Sequence, residues 1–228
     1  MKQGGLVWSA MLGVVAGSLL YPPTHEAILG ATRAHPFLMG FTKFAILATL
    51  GEWLAIRLMA GKWSLPRGIL CRAAVWGALG FCLVEMFAVF ADGVSMTICD
   101  GLLPGGQSQL NRWIVALWTS VIINLAVGPA LMTAHRIADT YIDLAGGRWR
   151  ELGTIRLRQV IDRIDWQGLI GFVCLKTIPL FWIPAHTVTF LLPSEYRVLW
   201  AALLSFAMGV ILACAKRAKR AGKVESAA

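Results

Sequence analysis

The sequence predicts an all-α integral membrane protein, a polytopic helical bundle of about six transmembrane helices. Amphipathic interfacial helices are expected between the fourth and fifth. Three observations lead there. Of 228 residues, 57% are hydrophobic and only 14% charged, and mean hydropathy is +0.67. A soluble domain of this size buries its core with far less apolar sequence. Apolar runs of bilayer-crossing length recur with short polar gaps between them. Finally, the ten Trp suit the aromatic belts at membrane interfaces.

The first apolar run, residues 5–20, spans about 24 Å as a helix, slightly short for a bilayer. It reads as a retained helix, because no A-x-A site follows. Cleaved as a signal peptide, it would leave five spans in the same orientation. "YPPTHEA" makes a turn, after which Thr24 is expected to cap a short interfacial helix running to Arg33.

The second run, residues 36–60, places Pro36 in its first turn, and "GKWSLPRG" follows as a basic loop. The third covers residues 68–91 and is expected to end at Asp92-Gly93. A loop, "DGLLPGGQSQLNR", leads to the fourth, residues 113–133, with a kink expected at Pro129. The charged stretch that follows carries Ile155, Leu157, Ile161 and Ile164 in a partial helical stripe, read as surface helices at the headgroups. The fifth run, 166–192, is broken by Pro179 and Pro184. The sixth covers 196–215, and "KRAKRAGK" closes the chain. Three units result: residues 1–34 as an extra N-terminal helix and interfacial segment, 35–217 as a membrane-embedded core, and 218–228 as a basic flexible tail.

Net charge is +9. Topology accounts for it, because the basic residues gather between and after apolar runs. Lys62 and Arg67 follow the second run. Arg148, Arg150, Arg156 and Arg158 follow the fourth, and Lys216, Arg217, Lys219 and Arg220 the sixth. Six spans put all three clusters on one side, so the positive-inside rule gives both termini inside. The expected setting is a bacterial inner membrane or an organelle membrane, with lipids as partners and a homo-oligomer as a candidate assembly. No aromatic-basic stripe or motif points to nucleic acid. The five cysteines show no C-x-x-C and no zinc spacing, so neither metal nor cofactor is expected. Enzyme signatures such as G-x-S-x-G, H-E-x-x-H and a phosphate loop do not occur, and no catalytic residue is assigned.

Charges inside the apolar runs are the informative feature. Lys43 and Glu52 lie within the second, Glu85 within the third, Asn124 within the fourth, and Lys176 and His186 within the fifth. At 100° per residue, Glu52 shares a face with Ala45, Ala48, Thr49 and Ala55. Glu85 shares one with Ala74, Ala78, Phe81 and Cys82. Small faces in membranes are contact or cavity faces, so both carboxylates are expected to point into the protein. Arg57 or Arg72 is placed to serve Glu52. Lys43 is placed to pair with Glu85 or to snorkel outward. His186, near the outer end, reads as an interfacial polar group. A charge at the bilayer centre costs at least about 2.5–3.5 kcal/mol. These residues therefore either pin helices together through ion pairs or line a polar passage for ions or small solutes.

Several of them follow a family pattern. "AHPF", with His35 and Pro36, is similar to an H-P-[WF] motif before a first helix. Gly51-Glu52 stands where that pattern has Gly-Asp, and Asn124 with Pro129 stands for Gln and Pro at the same spacing. "FLLPSEYRVL", through Phe190, Pro193 and Arg197, resembles N-F-x-x-V-P-x-x-x-R. The chain thus resembles a divergent member of the Mpv-seventeen (Mpv/PMP) family of peroxisomal and inner-mitochondrial membrane proteins, from about residue 34 to 217. It departs at "WIPAHTVTF", which lacks the family's Gln and Asn, and at Phe81-Cys82, where a Gly-Pro is usual. The resemblance implies a channel or facilitator for ions or small polar solutes that affects membrane potential or metabolite balance. The alternative is a non-transporting membrane protein that stabilises or binds other membrane components.

Overall fold

A computed structural model describes residues 2–105 and 111–225. Among these residues the chain is helical and forms no strand. Nine α-helices run in order: α1 Lys2–Leu20, α2 Pro22–Ala34, α3 Pro36–Ala60, α4 Ile69–Cys99, α5 Arg112–Ala126, α6 Gly128–Leu144, α7 Leu157–Arg163, α8 Ile183–Leu191 and α9 Ser194–Glu225. A 3-10 turn, Trp149–Thr154, precedes α7, and a π-helical stretch, Gly168–Trp182, leads into α8. Five apolar stretches are long enough to cross a membrane: Gln3–Leu20, Pro36–Ala60, Ile69–Cys99, Gly168–Leu191 and Ser194–Cys214. Helices α5 and α6, bent by 46°, qualify together as a sixth. The chain is a multi-pass membrane protein.

Helix α3 is the axis of the bundle, packed between α4 and α9. Glycines permit the close approach. A Cβ on Gly80 would collide with the Gly40 carbonyl and Phe44, and one on Gly51 would meet the α9 backbone at Phe206. The main core joins Phe44 and Leu47 of α3, Phe87 of α4, Ala116 and Ile123 of α5, Phe190 of α8, and Val198, Ala201 and Ala202 of α9. Helix α1 sits at the edge, where Trp8 Nε1 donates to the Leu50 carbonyl at 3.0 Å.

The two ends of the bundle differ. Loop 61–68 meets the turn at 146–147, where Gly68 and Gly147 abut, both with positive φ. We call this the basic end, since Lys62, Arg67, Arg148, Arg150, Arg156 and Arg158 lie on these connections. At the opposite end α2 folds back over the bundle. His25 Nε2 lies 2.9 Å from the Tyr196 hydroxyl, and Arg33 Nε pairs with Glu195 Oε1 at 2.9 Å.

Several boundaries differ from the sequence reading. Asp92-Gly93 does not end α4, which continues to Cys99 and extends about 46 Å at 1.5 Å per residue. Helix α2 begins at Pro22, so Thr24 lies within it, and its hydroxyl donates to the Ser18 and Tyr21 carbonyls instead of capping. The kink expected at Pro129 is present, as a bend of 46° at Val127, on the N-terminal side of the proline where such kinks fall. Pro129 sits in the first turn of α6, where its missing N–H costs nothing. Helix α6 then runs to Leu144, through residues read from sequence as surface. In the surface segment Leu157 and Ile161 are exposed, and the buried contacts come from Val160, Ile164 and Leu169. Pro179 is absorbed by the π-helical path. Helix α9 continues to Glu225, so the tail at 218–228 joins it without a break up to there. Residues 226–228 and the side chains of Lys216, Lys219 and Arg220 lie outside the described residues.

Candidate functional site

Between α3, α4, α5, α6, α8, α9 and the π-helical stretch lies a cavity of about 380 Å³. Its walls are mainly apolar and aromatic, with Phe44, Trp76, Phe87 and Trp182 among them. Its polar groups fall at two levels. Asn124 and Asp139 lie about 22 Å apart along the helical path, which bends by 46° between them.

The deeper level is built on antiparallel α5 and α8. Asn124 Nδ2 donates to the Ser120 carbonyl at 2.8 Å. His186 Nδ1 lies 3.1 Å from Asn124 Nδ2 and 3.2 Å from its Oδ1, the tautomer setting the direction. Ser120 Oγ donates to the Ile183 carbonyl at 2.7 Å, where α8 begins. Asn124 and His186 are both buried. The His186 ring packs on Phe87 and Trp182 at centroid distances of 5.7 and 5.3 Å. Beyond it Phe190 packs on Phe87 at 5.1 Å, and Arg197 lies over Phe190 at 5.6 Å. This aromatic stack lies on the side of the cavity away from the Arg72 cluster.

The second level, toward the basic end, centres on Arg72. Its Nη1 donates to Glu52 Oε1 at 2.8 Å and to Asp139 Oδ1 at 3.0 Å. Its Nη2 donates to Asp143, and its Nε to the Arg67 carbonyl at 3.0 Å. One guanidinium thus ties α3, α4 and α6 together. Asp143 is 64% exposed, so the cluster reaches the surface. His135 Nδ1 stands 3.6 Å from Asp139 Oδ2, and its ring lies 4.1 Å from Trp76. Glu52, Asp139, His135 and Arg136 all line the cavity.

The site residues expected from sequence divide accordingly. Glu52, Asn124 and His186 meet at the cavity, and Arg72 serves Glu52. His186 is a buried partner of Asn124 and not an interfacial group. Glu85, expected to point inward, is exposed on the outer face of α4 with Phe81 and Cys82. The face that packs carries Gly77, Gly80 and Phe87, and two residues along a helix turn the side chain by 200°. Lys176 is also exposed, beside Leu175 and Leu180, while its neighbour Thr177 faces the cavity. Lys43 is buried but does not pair with Glu85. Its Nζ donates to Thr32 Oγ1 of α2 at 2.8 Å.

No family model, curated protein or solved structure matches the chain.

The motif residues nevertheless have definite structural work. His35 joins α2 to α3, and Pro36 starts α3. Gly51 lets α9 approach. Pro193 separates α8 from α9, and Arg197 Nε donates to the Leu192 carbonyl at 3.1 Å across that turn. Phe190 lies under the Arg197 guanidinium. His135, Asp139 and Trp76 escaped the sequence reading. The legible signal was the spacing of His135, Asp139 and Asp143, one turn apart on a single face of α6.

Proposed function

We propose that this protein is a membrane channel or facilitator for ions or small polar solutes, acting through the cavity between Asn124–His186 and Glu52–Arg72–Asp139. The cavity carries this reading, since it supplies polar groups at two depths of an otherwise apolar bundle. A charged group within the bilayer is tolerated where it is paired or reached by water. A solute entering at the basic end meets charge first and an amide and an imidazole deeper, below the aromatic stack at Phe87 and Phe190. Transit then requires that stack to part. The bend at Val127 and the π-helical stretch flank it, and interruptions of this kind recur at membrane transport sites. The motif resemblance to the Mpv/PMP family supports the same reading, including an effect on membrane potential or metabolite balance.

A second reading has its own support. Glu85 and Lys176 are ionisable residues exposed on apolar helices of membrane-crossing length, and such groups are costly against lipid. Burial of both against other membrane components would remove that cost without any transport. Purified protein in liposomes distinguishes the two. Solute or ion flux above empty vesicles supports the facilitator, and silence across voltages and solutes supports the interaction protein.

A further inference from the structure

We propose that the cavity binds a small amphipathic amine, its ammonium held at Glu52, beside His135, and its apolar body lying along Trp76, Phe44 and Trp182. This identifies the solute class for the site just described and rests on reading that cavity as a solute site.

The unused hydrogen-bonding capacity points to such a ligand. Glu52 Oε1 accepts from Arg72, and the Trp76 indole stands beside the same carboxylate. His135 Nε2 and Trp76 Nε1 are buried with no hydrogen-bond partner. Asp139 Oδ2 faces His135 Nδ1, which favours the tautomer carrying its proton there. Nε2 then presents a lone pair. Glu52 and His135 both line the cavity and both are acceptors, which suits a group with several N–H donors.

Charge points the same way. Glu52, Asp139 and Asp143 face one shared guanidinium, Arg72, with the exposed Arg136 also on the wall. The balance stays negative, and a partly buried negative excess favours a cation and repels an anion. Aromatic faces add attraction for an ammonium. An inorganic ion fits less well. Among the described residues no His, Cys, Asp and Glu side chains group to hold a metal, and a dehydrated ion needs a shell of oxygens that these apolar walls lack. A volume of about 380 Å³ suits a small organic molecule.

The test uses three matched probes on the full-length protein in nanodiscs: phenethylamine, phenethyl alcohol and 3-phenylpropanoate. Binding is measured by equilibrium dialysis, with empty nanodiscs as background. Charge-assisted hydrogen bonds predict the amine at least about tenfold tighter than either counterpart. Glu52→Gln removes that preference, and Glu85→Gln, outside the cavity, keeps it. Equal binding of the three probes to the unaltered protein, or a preference for the carboxylate, overturns the proposal without any variant having to fold. Amine efflux from proteoliposomes is measured separately. Tight amine binding with no efflux removes the facilitator reading and leaves the ligand class standing. Efflux of other solutes without amine preference does the reverse.

Discussion

Arg72 Nη1 lies 2.8 Å from Glu52 Oε1 and joins the basic-end halves of α3 and α4. The same nitrogen reaches Asp139 of α6 at 3.0 Å, so a single side chain holds three helices around the mouth of the cavity. Removing it leaves clustered carboxylates facing one another. Arg72→Met is therefore expected to destabilise the fold by about 3 kcal/mol, the cost of stranding a buried partner. Asp143→Asn, at an exposed position, is expected to cost less than about 0.5 kcal/mol. Unfolding titrations in mixed micelles compare them, and equal losses would show that the cluster does not hold the helices.

Packing gives a second expectation. Gly80 touches α3 at the Gly40 carbonyl, whereas Ala78 is exposed. Gly80→Leu should cost at least about 1–3 kcal/mol through overpacking. Ala78→Leu should stay within about 0.5 kcal/mol. The same unfolding assay reads both, and a costly Ala78→Leu would place that face at a contact.

Glu85 supplies a third. On the exposed face of α4 its carboxylate meets no partner among the described residues, so Glu85→Leu should stabilise the isolated protein, by up to about 2.5 kcal/mol. Loss of stability or of a defined oligomer in the variant would show that Glu85 is covered by another subunit.

The spans were readable because length and apolarity are enough to mark a membrane helix. Which way each side chain faces was less readable. Ala74, Ala78 and Cys82 around Glu85 look like a packing face, since small residues usually mark one. The contacts instead use Gly77, Gly80 and Phe87 on the opposite side, and composition does not separate two such stripes. Helix α6 hid for another reason. His135, Arg136, Asp139 and Asp143 give it the look of a surface segment. Asp139 enters the bundle because Arg72, distant in sequence, offsets its charge. Arg72 was legible as a partner of Glu52 only alongside Arg57, because both arginines fall at the basic-end level, and the structure selects Arg72.

Topology is the fourth expectation. Cysteines introduced at Leu102 and Trp149, both exposed, should label from opposite sides of sealed vesicles. The Trp149 site should lie on the cytoplasmic-equivalent side, as the basic connections require. Labelling of both sites from one side would remove a span.

The measurement that reaches the central claim most directly is flux through a cavity that can be blocked after folding. Ala55 lines the cavity near Glu52. In a cysteine-free background, Ala55→Cys is reconstituted in liposomes, and solute flux is recorded before and after a hydrophilic thiol reagent. The account predicts flux before modification, reaction of the thiol, and loss of most of the flux afterwards. Complete modification with unchanged flux would contradict it.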